Sequence, residues 1–185
     1  MISAGEFRNG MTFEMVGEAY QVIEFQHVKP GKGAAFVRTK IKNVITGAVV
    51  ERTFNPADKF PEAFVERREM QYLYNEDDVY YFMDNETYET HPINKGVLGA
   101  NFKFAKENME MKVMSFKGNV FGVELPFFVI LAVVQAEPGT KGDTATNVTK
   151  TVVLETGAEL KVPMFVNEGD KVKIDTRTGE YMERA

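Results

Sequence analysis

Short runs in which apolar and polar residues alternate recur along almost the whole chain, with turn-forming residues between them. The alternation is clear in Thr12-Phe13-Glu14-Met15-Val16, Tyr20-Gln21-Val22-Ile23-Glu24-Phe25, Ala48-Val49-Val50-Glu51-Arg52-Thr53-Phe54 and Met70-Gln71-Tyr72-Leu73-Tyr74. It continues in Val79-Tyr80-Tyr81-Phe82-Met83, Glu110-Met111-Lys112-Val113-Met114, Val120-Phe121-Gly122-Val123-Glu124, Thr151-Val152-Val153-Leu154 and Val172-Lys173-Ile174. Successive side chains of a strand point to opposite faces, so a period of two gives one wet face and one dry face. Asn9-Gly10, Thr46-Gly47, Lys117-Gly118-Asn119, Glu168-Gly169-Asp170 and Thr178-Gly179 supply the turns, since glycine and asparagine accept backbone angles that other residues resist. Many short strands at this spacing predict an all-β chain of barrels or sandwiches. Only residues 98–107 read as a helical turn or two, interrupted by Gly99.

Two proline-marked breaks divide the chain. Asn55-Pro56-Ala57-Asp58-Lys59-Phe60-Pro61 follows the first strands, and Leu125-Pro126 separates a second group from a more apolar third. The expected domains are three consecutive small β-barrels, 1–64, 65–127 and 128–185, near the lower end of domain size. Set end to end they would reach on the order of 80 Å, a length suited to bridging distant points on a large partner. Cysteine is absent, which excludes disulfides and thiolate metal sites. The longest apolar run, from Leu125 to Val134, falls short of the roughly 18 residues of a membrane-spanning helix. The N-terminal residues lack the basic-then-apolar pattern of a signal peptide. The expectation is a cytoplasmic, monomeric protein with no membrane partner.

The net charge of −5 speaks against a polyanionic partner until its distribution is read. Residues 1–64 carry +1, residues 65–127 carry −4 and residues 128–185 carry −2. Between Gln26 and Val50 stand Lys29, Lys32, Arg38, Lys40 and Lys42 with no acid among them. Local potential, not net charge, governs what a surface attracts. The run Lys29-Pro30-Gly31-Lys32-Gly33-Ala34-Ala35-Phe36-Val37 joins two strand-like flanks. It reads as a hairpin whose glycine-flanked Lys32 is held out from the body towards a polyanion.

Catalytic constellations are not apparent. His27 and His91 are the two histidines, and both read as structural or surface residues. Asp77-Asp78 lies in a turn signal, where acids bond the backbone. Ser3 and Ser115 have no histidine nearby in sequence. Gly31-Lys32 lacks the first glycine, the following Ser/Thr and the helix of a phosphate-binding loop. Tyr72, Tyr74, Tyr80, Tyr81 and Phe82 could stack bases, but their alternation and acidic surroundings read as core. No metal or cofactor is expected.

The hairpin from Lys29 to Asn43 resembles the tip loop of the bacterial translation elongation factor P family. The segment from Thr156 to Tyr181, with Leu160-Lys161-Val162-Pro163 and Asp175-Thr176-Arg177-Thr178-Gly179-Glu180-Tyr181, is similar to that family's signature region. Pro138-Gly139-Thr140-Lys141-Gly142-Asp143-Thr144-Ala145 resembles its third-domain loop, and Ile2-Ser3-Ala4-Gly5-Glu6-Phe7-Arg8-Asn9-Gly10 its start. The likeness implies an SH3-like, KOW-type barrel followed by two oligonucleotide-binding (OB) barrels, with an elongated outline similar to transfer RNA. It implies a factor that binds both ribosomal subunits beside the peptidyl-tRNA and relieves stalling at consecutive prolines. Lys32 matches the family's modified tip, which carries a covalent addition made by a modifying enzyme, and Pro30, Gly31 and Gly33 shape it. Lys29, Arg38, Lys40 and Lys42 are the expected phosphate contacts. Gly142, Asp143 and Thr144 match the loop that the family sets near the exit-site codon, and Tyr181 and Arg184 match terminal positions near RNA.

Three other readings remain at this point. A divergent paralogue would keep the fold and change the function. A single-strand RNA-binding protein would need exposed aromatics on a basic face, which the acidic middle segment disfavours. An enzyme using Lys32 as a Schiff-base nucleophile would need a desolvated amine, which a glycine-flanked tip does not supply.

Overall fold

The computed structural model describes residues 1–137 and 148–185. Strands dominate it, in keeping with the alternation. Its packing forms two compact units, Met1–Arg67 with Met114–Phe121, and Arg68–Val113 with Gly122–Ala185.

The first unit contains β1 (Ile2–Ser3), a 3₁₀ turn (Ala4–Glu6), β2 (Thr12–Met15), β3 (Glu18–Val28), β4 (Phe36–Asn43), β5 (Val49–Phe54) and β6 (Lys59–Phe60). β2 to β5 form an antiparallel meander, and β1 pairs with β6. A bridge between Phe13 and Glu62, with the Glu14 amide donating to the Pro61 carbonyl at 2.8 Å, returns the chain onto β2. The inward residues Phe7, Phe13, Val22, Val37, Ile41 and Phe54 are fully or nearly fully buried. Phe7 stacks on Phe13 at 4.8 Å and meets Phe54 edge-on at 5.7 Å. Burying one such ring stabilises a fold by about 1.5–3 kcal/mol. A barrel this small therefore rests on a few aromatics. A second buried cluster joins Ala19, Val44 and Ala63 to Phe116, with Phe121 against it. The 114–121 segment thus completes this unit, and Lys117 pairs with Glu14 at 3.3 Å.

The second unit holds most of β7 (Glu66–Glu76), then β8 (Val79–Asp84), β9 (Thr90–Asn94), α1 (Lys95–Leu98) and a 3₁₀ turn (Ala100–Phe104). β10 (Glu110–Phe116) and β11 (Asn119–Glu124) complete a sheet ordered β11-β10-β7-β8-β9. Then come β12 (Phe128–Ala136), β13 (Thr149–Leu154), β14 (Glu159–Pro163), β15 (Lys171–Asp175) and β16 (Glu180–Arg184), ordered β14-β13-β12-β15-β16. Leu131, Val152, Leu154, Val162, Val172 and Ile174 fill the second of these sheets. Among the described residues no helix is long and apolar enough to cross a membrane.

Local chemistry explains where the elements depart from the alternation. β9 carries Pro92 opposite Tyr81, which a strand at the end of its sheet tolerates because no outer neighbour needs the missing amide. The helical segment begins earlier than expected, at Lys95, because the Asn94 side chain accepts from the Gly96 amide at 3.0 Å. It stops at Gly99, whose φ of 81° leaves the helical region. Tyr72, Tyr80 and Phe82 group with Phe102, as a core reading requires, but Tyr74 stands 43% exposed and stacks on Tyr81 at 4.8 Å.

Candidate nucleic-acid interface

The β3–β4 ladder runs to Val28↔Phe36, and residues 29–35 stand beyond it, all exposed. The buried core reaches Val37, one register pair below the last. The hairpin is therefore not a long free arm, and the reach of Lys32 comes from this loop and its own side chain. Gly33 has a φ of +105°, which an L side chain adopts only with strain. The Pro30 ring lies 3.9 Å from where a Cβ on Gly33 would be. Gly31 has no positive φ and open space around it. Gly33 and Pro30, rather than Gly31, thus set the turn that presents Lys32.

Arg38, Lys40 and Lys42 alternate with buried Val37, Thr39, Ile41 and Asn43 along β4 and so share its outward face. Their settings differ. Arg38 lies opposite Gln26 and Thr53, its guanidinium 5.9 Å from the centre of the Phe36 ring. Lys40 lies between Glu24 and Glu51 in register and pairs with Glu24 at 3.4 Å. Among the described residues Lys29, Lys32, Arg38 and Lys42 make no ion pair. Free cations thus sit at the tip (Lys29, Lys32) and just below it (Arg38), Lys40 is neutralised lower on β4, and Lys42 lies beyond it at the end of the strand away from the tip. His27 is exposed at the top of β3, opposite Val37.

Far from the hairpin in sequence, Tyr181 lies opposite Ile174 and is half-buried. Arg184 is 3.9 Å from Asp170 and 5.3 Å over the Phe165 ring. Gly142, Asp143 and Thr144 lie outside the described residues. His91 is half-buried, and its Nε2 is enclosed without a hydrogen-bond partner, 3.9 Å from Glu89. Among the described residues no cluster of His, Asp and Glu could hold a metal ion.

Two buried carboxylates escape sequence reading. Asp84 accepts from the Glu86 amide at 2.8 Å, the Thr87 amide at 3.3 Å and Arg68 Nη1 at 2.8 Å. These bonds, the Glu86 amide first, hold its carboxyl below the usual carboxylate range. Asp175 accepts from Arg177 Nε at 3.1 Å and Nη2 at 3.0 Å, and that guanidinium likewise holds it low. Both are structural clamps. No sequence signal separates them from surface acids, because their partners are chosen by turns and registers.

The first unit is thus a small aromatic-cored barrel that ends in an exposed lysine with unpaired cations beside it. The chain matches three family descriptions in order. These are the elongation factor P KOW-like domain over residues 3–60, the elongation factor P OB domain over 65–123 and the elongation factor P C-terminal domain over 129–184. It is 65% identical over 184 residues to an elongation factor P of Acetivibrio thermocellus, covering 100% of both chains. It is 63% identical to one of Ruminiclostridium cellulolyticum, covering 100% of this chain and 99% of that one. Among solved structures it resembles translation initiation factor 5A from Methanococcus jannaschii, with a TM-score of 0.55 and 21% identity over 64% of this chain and 88% of that one. By class the chain is a translation elongation factor with KOW-like and OB domains. It belongs to the elongation factor P family.

Proposed function

We propose that this chain binds the ribosome in the cytoplasm beside the peptidyl-tRNA, points Lys32 towards the peptidyl-transferase centre and relieves stalling at consecutive prolines. It acts as a binding factor, not an enzyme. The observation that carries this reading is the exposed 29–35 loop, in which Lys29 and Lys32 stand free of ion pairs beside equally free Arg38. Such cations suit phosphates. Proline is a ring-locked secondary amine, so its attack geometry is hard to reach. Steadying the acceptor end of the peptidyl-tRNA recovers orientation in the transition state, and each ~1.4 kcal/mol recovered is about tenfold in rate. A covalent addition on Lys32 by a modifying enzyme would extend the reach of an amine whose backbone rises little above the core. The 142–144 loop would meet the exit-site codon on the small subunit, by resemblance to the family.

The test is synthesis of a Pro-Pro-Pro peptide in a purified translation system, with recombinant protein, native-source protein and Lys32→Ala. Rescue by wild type and its loss in Lys32→Ala is the expected result. Rescue by native-source protein alone would add that modification is required. No rescue by either preparation on ribosomes of a matched source would overturn the reading.

A further inference from the structure

Within the second unit, two lysines share the lining of a groove that the function proposed above leaves unused. The groove has a volume of about 550 Å³, within the roughly 300–1,000 Å³ of small-ligand sites. Three segments bound it. β7 and β8 contribute Tyr72, Asn75 and Tyr80, the stretch that begins at α1 contributes Lys95 and Lys103, and the turn between β13 and β14 contributes Thr156. That turn is pinned in place: the Thr156 hydroxyl donates to the Lys103 carbonyl at 2.7 Å, and Lys106 pairs with Glu155 at 3.4 Å. Tyr72 is buried and Tyr80 half-buried, with ring centres 5.8 Å apart, so one wall is aromatic. The Tyr72 hydroxyl donates to Asn75 Oδ1 at 3.1 Å, which leaves the Asn75 Nδ2 donors for a ligand. Lys95 and Lys103 are exposed, and among the described residues neither makes an ion pair. No residue lining the groove is an acid, although residues 65–127 carry −4. Burial, and then the charges of Tyr80 and Glu107, push the Tyr72 hydroxyl up, so it stays neutral and adds no negative charge.

We propose that this groove binds a free mononucleotide, a nucleoside 5′-monophosphate in chemical class. The base lies against the Tyr80 ring with the Asn75 amide at its edge, and Lys95 and Lys103 hold the phosphate. A nucleotide fits because it joins one planar body to one compact anion, which an aromatic wall and two free ammonium groups match. A purely apolar ligand would gain nothing from either lysine. An organic cation would meet two positive charges and no acid. An RNA strand needs a track along which successive bases stack, and here the pinned turn at Thr156 walls the groove. The site does not rest on the function proposed above, because nothing in it involves the Lys32 loop.

The test follows the backbone amide resonances of Asn75, Gly96 and Gly99 in the full chain during titration with adenosine and guanosine 5′-monophosphate. Adenosine, ribose 5-phosphate, inorganic phosphate and single-stranded RNAs of increasing length are titrated beside them. The variants are Lys95→Ala, Lys103→Ala and Ala100→Trp, which adds bulk at the exposed rim without removing charge. Lys171→Ala removes an exposed lysine outside the groove. Circular dichroism melts check that each variant is folded. The expected result is a saturable shift with a Kd below about 1 mM. It weakens roughly fivefold or more in the three groove variants and is unchanged in Lys171→Ala. Adenosine and ribose 5-phosphate each bind several-fold more weakly than the monophosphates. No saturable shift in wild type up to about 10 mM, equal binding of inorganic phosphate, or wild-type affinity in both lysine variants would overturn the inference. So would affinity that rises with RNA length, which would make the groove part of a strand track. Pro-Pro-Pro rescue is read separately, so the function stands or falls on its own test.

Discussion

Val16→Asn should make the first unit more stable, which is an unusual expectation for removing an apolar residue. Met15 pairs with Glu18, so Val16 and Gly17 form a two-residue hairpin loop. Their φ values are 54° and 77°, both in the left-handed region, as in the type I′ turn that matches strand twist. An L residue pays about 1–2 kcal/mol in that region, and a β-branched one is a true outlier there. Asparagine tolerates it, because its short side chain bonds the local backbone. Val16 is 91% exposed, so little burial is lost in exchange. The net gain is about 1 kcal/mol. Amide hydrogen exchange reads this unit separately from the rest of the chain. The Val22 amide, which donates to Met11, and the Val44 amide, which donates to Ala19, should exchange roughly fivefold more slowly in the variant. Val16→Ala should gain less, since it keeps a Cβ in the same region without asparagine's backbone bond. Exchange at wild-type or faster rates in Val16→Asn would refute the strain argument.

Two further expectations concern single positions. Gly33→Ala should cut Pro-Pro-Pro rescue several-fold while Gly31→Ala is tolerated, because Gly33 has a positive φ and Gly31 does not; equal losses in the two variants would contradict that reading of the turn. Asp84 has a folded carboxyl below its unfolded value of about 3.9. Its contribution is therefore present above that pH and lost as pH falls through the lower folded value. Asp84→Asn should flatten the acid end of the second unit's stability curve, and an unchanged slope below about pH 4 would count against it.

The hairpin with Lys32 and the all-β class were legible in the chain because alternation and turn chemistry are local. Each depends on neighbours two to four positions away, and no distant contact is needed to read them. Strands that break the pattern were not legible. β9 contains Pro92, and β16 is short and heavily charged, so tertiary pairing had to supply what propensity withheld. The free or paired state of a cation was also hidden. Lys40 and Lys42 look alike in sequence, yet Glu24 and Glu51 flank only Lys40.

Alternation and turn residues alone therefore specify the class of fold, most of its strands and the place of the lysine at a turn. Period and turn residues act on the chain within a few residues of where they are written. The tertiary structure alone decided that Arg8 stacks on Phe25, that Gly33 and not Gly31 bends the tip, and that residues 114–121 complete the first unit. Those outcomes depend on which strands pair, in what register and around which bulge. Register is settled by packing the whole dry face at once, so no single stretch of residues carries it.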